Sequence, residues 1–247
     1  STLFPYTTLF RSPYSLARIG ALDAQVGSLE DAADELHRAA SLGCESLFAS
    51  PSPPPPPKGN RPARGDAVAC DGFIDPAGLS ADGRLAVLQA VLALRTTMLL
   101  SADLDGAARC ATQAQRYADT ARGRVRTANA IGETFVEQGR AAEARRAFEA
   151  AQKEADAAEI PASNEHRSRT LLGMARASLL AGVATQAHEH GVRALRAASA
   201  RADVEQTVDA LRVLAASERA MREPELAART LLVAARLVLY GDRKSVV

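Results

Sequence analysis

From Arg124 to Ala157 apolar or small residues recur every three to four positions on both sides of one strong breaker, Gly139, and this pattern predicts two helices joined there at a bend. The inward set is Ala128, Ile131, Gly132 and Phe135 in the first helix, and Ala144, Phe148 and Ala151 in the second. Gly132, Ala144 and Ala151 let two antiparallel backbones approach closely, while Phe135 and Phe148 fill the space above and below. A hairpin built this way cannot bury both of its faces alone, so it needs neighbours.

The neighbours are written into the same spacing. Gly139, Ala144 and Ala151 stand five and then seven residues apart, and the step recurs at Gly27, Ala32, Ala39; Ala102, Ala107, Ala114; Gly182, Ala187, Ala194; and Arg222, Ala227, Ala234. The middle anchors Ala107, Ala144, Ala187 and Ala227 follow one another at 37, 43 and 40 residues. A period near 40 made of helix pairs indicates a stacked-helix solenoid. The expected pairs cover 82–100 with 104–120, 123–138 with 140–157, 163–181 with 184–200, and 203–220 with 224–240. Pro161 and Pro224 fall near helix starts, where a missing N–H does no harm.

Ile131 with Gly132, Phe135, Gly139, Ala144, Phe148 and Ala151 resemble the tetratricopeptide repeat (TPR) family, and Ile19 with Gly20, Gly27, Ala32, Leu36 and Ala39 match its pattern a second time. The resemblance implies an all-α, TPR-like helical-hairpin solenoid with a right-handed superhelical turn. No Trp occupies a first helix, Asp156 stands where a closing Pro is usual, and the periods exceed the family's 34, as in its long-helix varieties. Residues 208–239 look like the C-terminal repeats of the MalT-like, ATPase-linked LuxR-type bacterial regulators. That likeness implies an alternative reading, an effector-sensing or oligomerisation segment of an ATP-dependent transcriptional regulator. A Walker loop upstream and a helix-turn-helix downstream in the gene would establish it.

The two ends read differently. Residues 1–12 look like an in-frame translation of a sequencing adapter, because CTC TTC CGA TCT encodes Leu9, Phe10, Arg11 and Ser12. Residues 242–247 match the complementary strand, in which GAT CGG AAG encodes Asp242, Arg243 and Lys244. Both ends are set aside from fold reasoning, and the chain is expected to be a metagenomic fragment of a larger bacterial protein. Without them, 27 basic residues face 28 acidic ones. That balance gives no support for direct nucleic-acid or membrane-surface binding.

Residues 13–43 form the expected N-terminal hairpin. Residues 44–81, with "PSPPPPPKGNRPARG", have no helical period and an extended, proline-fixed backbone. They are expected to be a disordered linker or a repeat scrambled by a reading-frame error. The apolar run Leu85 to Leu100 is broken by Gln89, Arg95, Thr96 and Thr97, and reads as a buried helix instead of a membrane span. Cys44, Cys70 and Cys110 are far apart, odd in number and without paired metal spacing, which points to a reducing cytoplasm, with Cys110 a small packing residue or a partly exposed thiol within its helix. The last helix, with Leu231, Leu232, Val233, Leu237, Val238 and Leu239, is apolar on more than one side where a terminal solenoid helix should be polar, so further protein after it, or self-association through it, is expected.

The search for chemistry between residues 13 and 241 returns no nucleotide loop, nucleophile elbow or zinc spacing, and so no catalytic residue, metal or cofactor. His188, Glu189 and His190 come nearest to a ligand set, but residues two apart on a helix diverge by about 200°. Glu133, Glu137 and Glu143 lie among Arg and Gln, where solvation accounts for them. What remains is the groove lined by first helices, a non-enzymatic surface for a protein or peptide partner. Its candidate residues are Arg126, Asn129, Glu133 and Glu137; Arg169, Leu172, Arg176 and Leu179; and Arg212 and Arg219. Their alternative role is plain solvation or contact with other domains. The carboxylate-clamp form that the TPR resemblance implies is not met: Leu92, Thr96, Ala130 and Gly173 stand at its positions.

Overall fold

The computed structural model describes residues 75–241. The hairpin expected over 13–43, the proline-rich stretch up to residue 74, and the adapter-like ends 1–12 and 242–247 lie outside the described residues. Among the described residues there are eight α-helices and no strand, and the chain divides into two compact units at Asp119 and Thr120.

The first unit holds α1 (Ala81–Leu100) and α2 (Leu104–Ala114). Ser80 caps α1 by accepting from the Gly83 N–H at 3.1 Å, and Asp103 caps α2 through the Gly106 N–H at 2.8 Å. The second helix was expected to continue to residue 120. It stops at Ala114 and tightens into a 3-10 turn over Gln115–Tyr117, which brings the Tyr117 side chain to full burial. Arg84 then pairs with Asp119 at 3.0 Å and donates to the Leu79 carbonyl. By length and composition α1 is apolar enough to cross a membrane, yet ten of its residues are buried within the fold. Cys110, expected to be a small packing residue or a partly exposed thiol, is fully buried and disulfide-bonded.

The second unit stacks three pairs: α3 (Ala121–Glu137) with α4 (Ala141–Ala157), α5 (Glu165–Leu180) with α6 (Ala184–Ala200), and α7 (Val204–Ala220) with α8 (Pro224–Gly241). Each helix packs on the next in sequence. The first helices also meet one another, α3 with α5 and α5 with α7, whereas α4 and α6 barely touch. First helices therefore form the crowded side of the stack and second helices the spread side, so this unit curves towards α3, α5 and α7.

The recurring five-then-seven spacing has a structural meaning at each place. Its first member is left-handed in all four described pairs: Ala102 (φ 60°), Gly139 (φ 73°), Gly182 (φ 76°) and Arg222 (φ 66°). Its later members, Ala107, Ala114, Ala144, Ala151, Ala187, Ala194, Ala227 and Ala234, are all at most 5% exposed. Glu159 and Ala202 repeat the left-handed turn between pairs. At all six ends the next N–H reaches five residues back, as from Arg140 to the Phe135 carbonyl at 2.8 Å and from Glu223 to Glu218 at 2.9 Å. Glycine suits this conformation, but four of the six positions carry a side chain there. Ala202→Gly or Arg222→Gly is therefore expected to raise stability by about 0.5–1 kcal/mol, measured as a shift in urea midpoint; no gain would mean the turn is not strained.

Phe148 is the largest side chain in the heart of the second unit. It is fully buried and projects from α4 between Gly132 of α3 and Gly173 of α5. A Cβ built at Gly132 would lie 2.6 Å from the ring, and at Gly173 only 2.2 Å. The slot exists because both walls lack side chains. Ala128, Ile131 and Phe135, expected to be fully inward, are half-buried. Phe135 packs at the edge of the Ala144, Phe148 and Ala177 cluster, and its ring also faces the Arg140 guanidinium at 4.5 Å.

Candidate functional site

The candidate residues sit on α3, α5 and α7, the inner helices of the curved unit. Two of them are not available to a ligand, and the expectation is corrected there. Asn129 is 2% exposed, and both ends of its amide are used: Nδ2 donates to the His166 carbonyl at 2.8 Å and Oδ1 accepts from the Thr170 hydroxyl at 2.9 Å. Leu172 is 5% exposed and packs with Leu171, Ala175, Ala194, Ala210 and Val213. The physical reason is shared. A position pointing away from its own second helix still meets the neighbouring first helix, and that contact hides both residues. Leu179 is half-buried against the same cluster.

The charged candidates form a ladder with a fixed register. Glu133 lies six residues before the left-handed end of its helix and pairs at 2.7 Å with Arg169, thirteen before the end of the next first helix. Arg176 and Asp209 occupy the same two registers one pair further on and meet at 2.9 Å, with the signs exchanged. Arg212 reaches Asp209 more loosely at 3.6 Å, while Arg219 and Glu137 are exposed. Being partly solvated, each pair contributes little stability, about 0–1 kcal/mol. Asp209 was missed by reading for arginines, although the register alone would have found it.

Arg126 shares the register of Arg169 and Asp209 but makes no hydrogen bond or ion pair among the described residues. Burial and the neighbouring Arg169 charge lower its pKa, and Glu165 partly opposes them. Arg169 is shifted the other way, raised by the Glu133 carboxylate. His166, expected to be an isolated surface or loop residue, lies half-buried beside this group. Its pKa is lowered by burial, with Arg126, Arg169 and Arg122 adding to the effect and Glu165 opposing it. Its Nδ1 is buried without a hydrogen bond.

A histidine whose folded pKa lies below its unfolded value leaves the unfolded state holding more protons between the two. Stability is then complete above the unfolded value of about 6.5 and is lost as pH falls through it towards the folded value. His190, lowered by burial and by Arg193, adds in the same direction. The chain is expected to lose stability from pH 7 to pH 5, and His166→Gln should lose less; parallel denaturant midpoints in the two chains would remove this account.

On the outer helices, His188 Nδ1 lies 3.4 Å from the Ser217 hydroxyl, and Glu143 accepts from Arg140, which lowers its pKa. No cluster of three metal-ligating groups occurs among the described residues.

No family model matches the chain, and no curated protein does. Solved structures do. A putative kinesin light chain of Podosopora anserina with nearly identical TPR-like repeats, crystallised as a single-substitution variant, aligns over 98% of this chain and 100% of its own, at 13% identity and a TM-score of 0.59. BtubC (BKLC) of P. vanneervenii aligns over 96% of this chain and 93% of its own, at 14% identity and a TM-score of 0.57. The fold is that of TPR-like repeat proteins. At such identities the likeness shows the TPR-like architecture alone, and the regulator resemblance of residues 208–239 gains nothing from it.

Proposed function

We propose that this TPR-like chain is a non-enzymatic scaffold that binds a protein or peptide along the inner faces of α3, α5 and α7. The reading is supported by one observation above the others. A curved row of half-exposed charges runs across three stacked helices, and at its α3 end Arg126 is half-buried with no partner among the described residues. A guanidinium in that position is predisposed to a carboxylate supplied from outside, because the pairing would replace solvent already partly removed. Arg169 stands near it, paired with Glu133, and Arg176 continues the row on α5, paired with Asp209. A segment in extended form, with acidic and apolar residues, suits such a row.

The test uses fluorescein-labelled synthetic peptides of mixed Glu and Leu composition, with Lys-for-Glu peptides as comparators, titrated with the full chain in an anisotropy assay. The acidic peptides are expected to bind and the basic ones not to. Arg126→Gln is expected to weaken binding about tenfold or more, while Arg145→Gln on the outer helix α4, where the side chain is 62% exposed, leaves it unchanged. Equal loss from both variants, or no binding by any acidic peptide, would reject the groove.

A further inference from the structure

In the two preceding pairs of the second unit, the side of the second helix that its own partner leaves open is covered by the next first helix. Phe148 of α4 meets Gly173 of α5, and Gly191 of α6 meets Leu214 of α7, whose side chain lies 3.0 Å from a Cβ built at Gly191. Counted from the buried anchors Ala144, Ala187 and Ala227, the matching position in α8 is Leu231. In the same way the fully buried Ala155 and Ala198 correspond to Val238. Leu231 and Val238 are 49% and 50% exposed. The face that this architecture buries elsewhere stands open on α8.

The pattern on that face selects its occupant. Helical spacing sets three exposed rows side by side: Ala228 and Ala235 in the middle, Leu231 and Val238 on one side, Leu232 and Leu239 on the other. Each row is a pair seven residues apart, and no charged side chain lies within any of them. A two-fold axis across the helix at Ala235 exchanges Leu231 with Val238 and Leu232 with Leu239, each to within about one residue of helical rise. It opposes Ala235 to the partner's Ala235, Leu231 to the partner's Val238, and Leu232 to the partner's Leu239. The alanine row lets the axes come within about 8 Å, and the outer rows close over it. A patch that complements itself in this way is what an isologous contact requires. Glu225, Arg229 and Arg236 fall outside the Leu232 row, at the rim.

We propose that α8 is the contact of an antiparallel homodimer, in which a second copy of this chain covers Leu231, Val238, Leu232 and Leu239. Sedimentation velocity of the full chain over roughly 1–100 μM is expected to show a reversible monomer–dimer equilibrium. Leu231→Glu and Val238→Lys are each expected to give monomers with unchanged helical circular dichroism, since both side chains are half-exposed. Mixed in equal amounts, the two variants should recover a one-to-one dimer, because each introduced charge meets its opposite across the axis. A chain that stays monomeric throughout, an association that Leu231→Glu leaves intact, or a mixture that stays monomeric would each overturn the proposal.

Discussion

Phe148→Ala is expected to lower the unfolding free energy by about 3–5 kcal/mol, the largest effect of any single substitution described for this chain. The ring is fully buried, and both of its walls are glycine. The void left behind has no side chain at Gly132 or Gly173 to swing into it, its buried neighbours Ala144 and Ala177 carry only methyls, and Phe135, Val136 and Met174 pack at the cluster's edge. Collapse would require α3 and α5 to move together, against the contacts that hold the pairs in register. Urea denaturation followed by circular dichroism measures the loss. A change below about 1 kcal/mol would mean that the ring does not organise this core.

The second large effect comes from the wall and not the ring. Gly173→Ala places a methyl 2.2 Å from the Phe148 ring and 2.7 Å from another of its carbons, inside any tolerable contact. The ring has little room to retreat, since the backbone at Gly132 faces its other side so closely that a Cβ there would lie 2.6 Å from it. Strain of about 1–3 kcal/mol follows. Gly173→Ala combined with Phe148→Leu is expected to cost less than the two changes added together, because a shorter side chain vacates the space that the methyl claims. Simple additivity in the double variant would separate the two positions and contradict the slot. Together the two experiments ask whether one aromatic ring sets the distance between consecutive helix pairs.

That ring was visible in the sequence as one of the inward residues of the Arg124–Ala157 hairpin, and the alanine anchors were visible as a spacing. Helix boundaries followed to within a few residues, since polar caps and left-handed turns are local. Ala102 and Arg222 came through the same spacing although neither is a glycine, because position in the repeat, more than residue type, specifies the turn. The failures were of another kind. Asn129 and Leu172 were assigned to an open surface from the geometry of one hairpin, and a neighbouring hairpin covers them. His166 looked isolated because its neighbours Arg122 and Arg126 lie some forty residues away in sequence. α2 ended at Ala114, six residues short of the expected end, ahead of the buried Tyr117.

Residue order alone determined that this chain would form paired helices with alanines at the contacts, because helical period and turn chemistry act over a few residues and need no partner. Only the stacking decided which charges meet. Glu133 with Arg169 and Arg176 with Asp209 are joined across separate hairpins, and Arg126 is left without a counterpart among the described residues. Which groups remain open to a ligand depends on contacts between segments far apart in the chain, and a periodicity read along one helix contains no term for them.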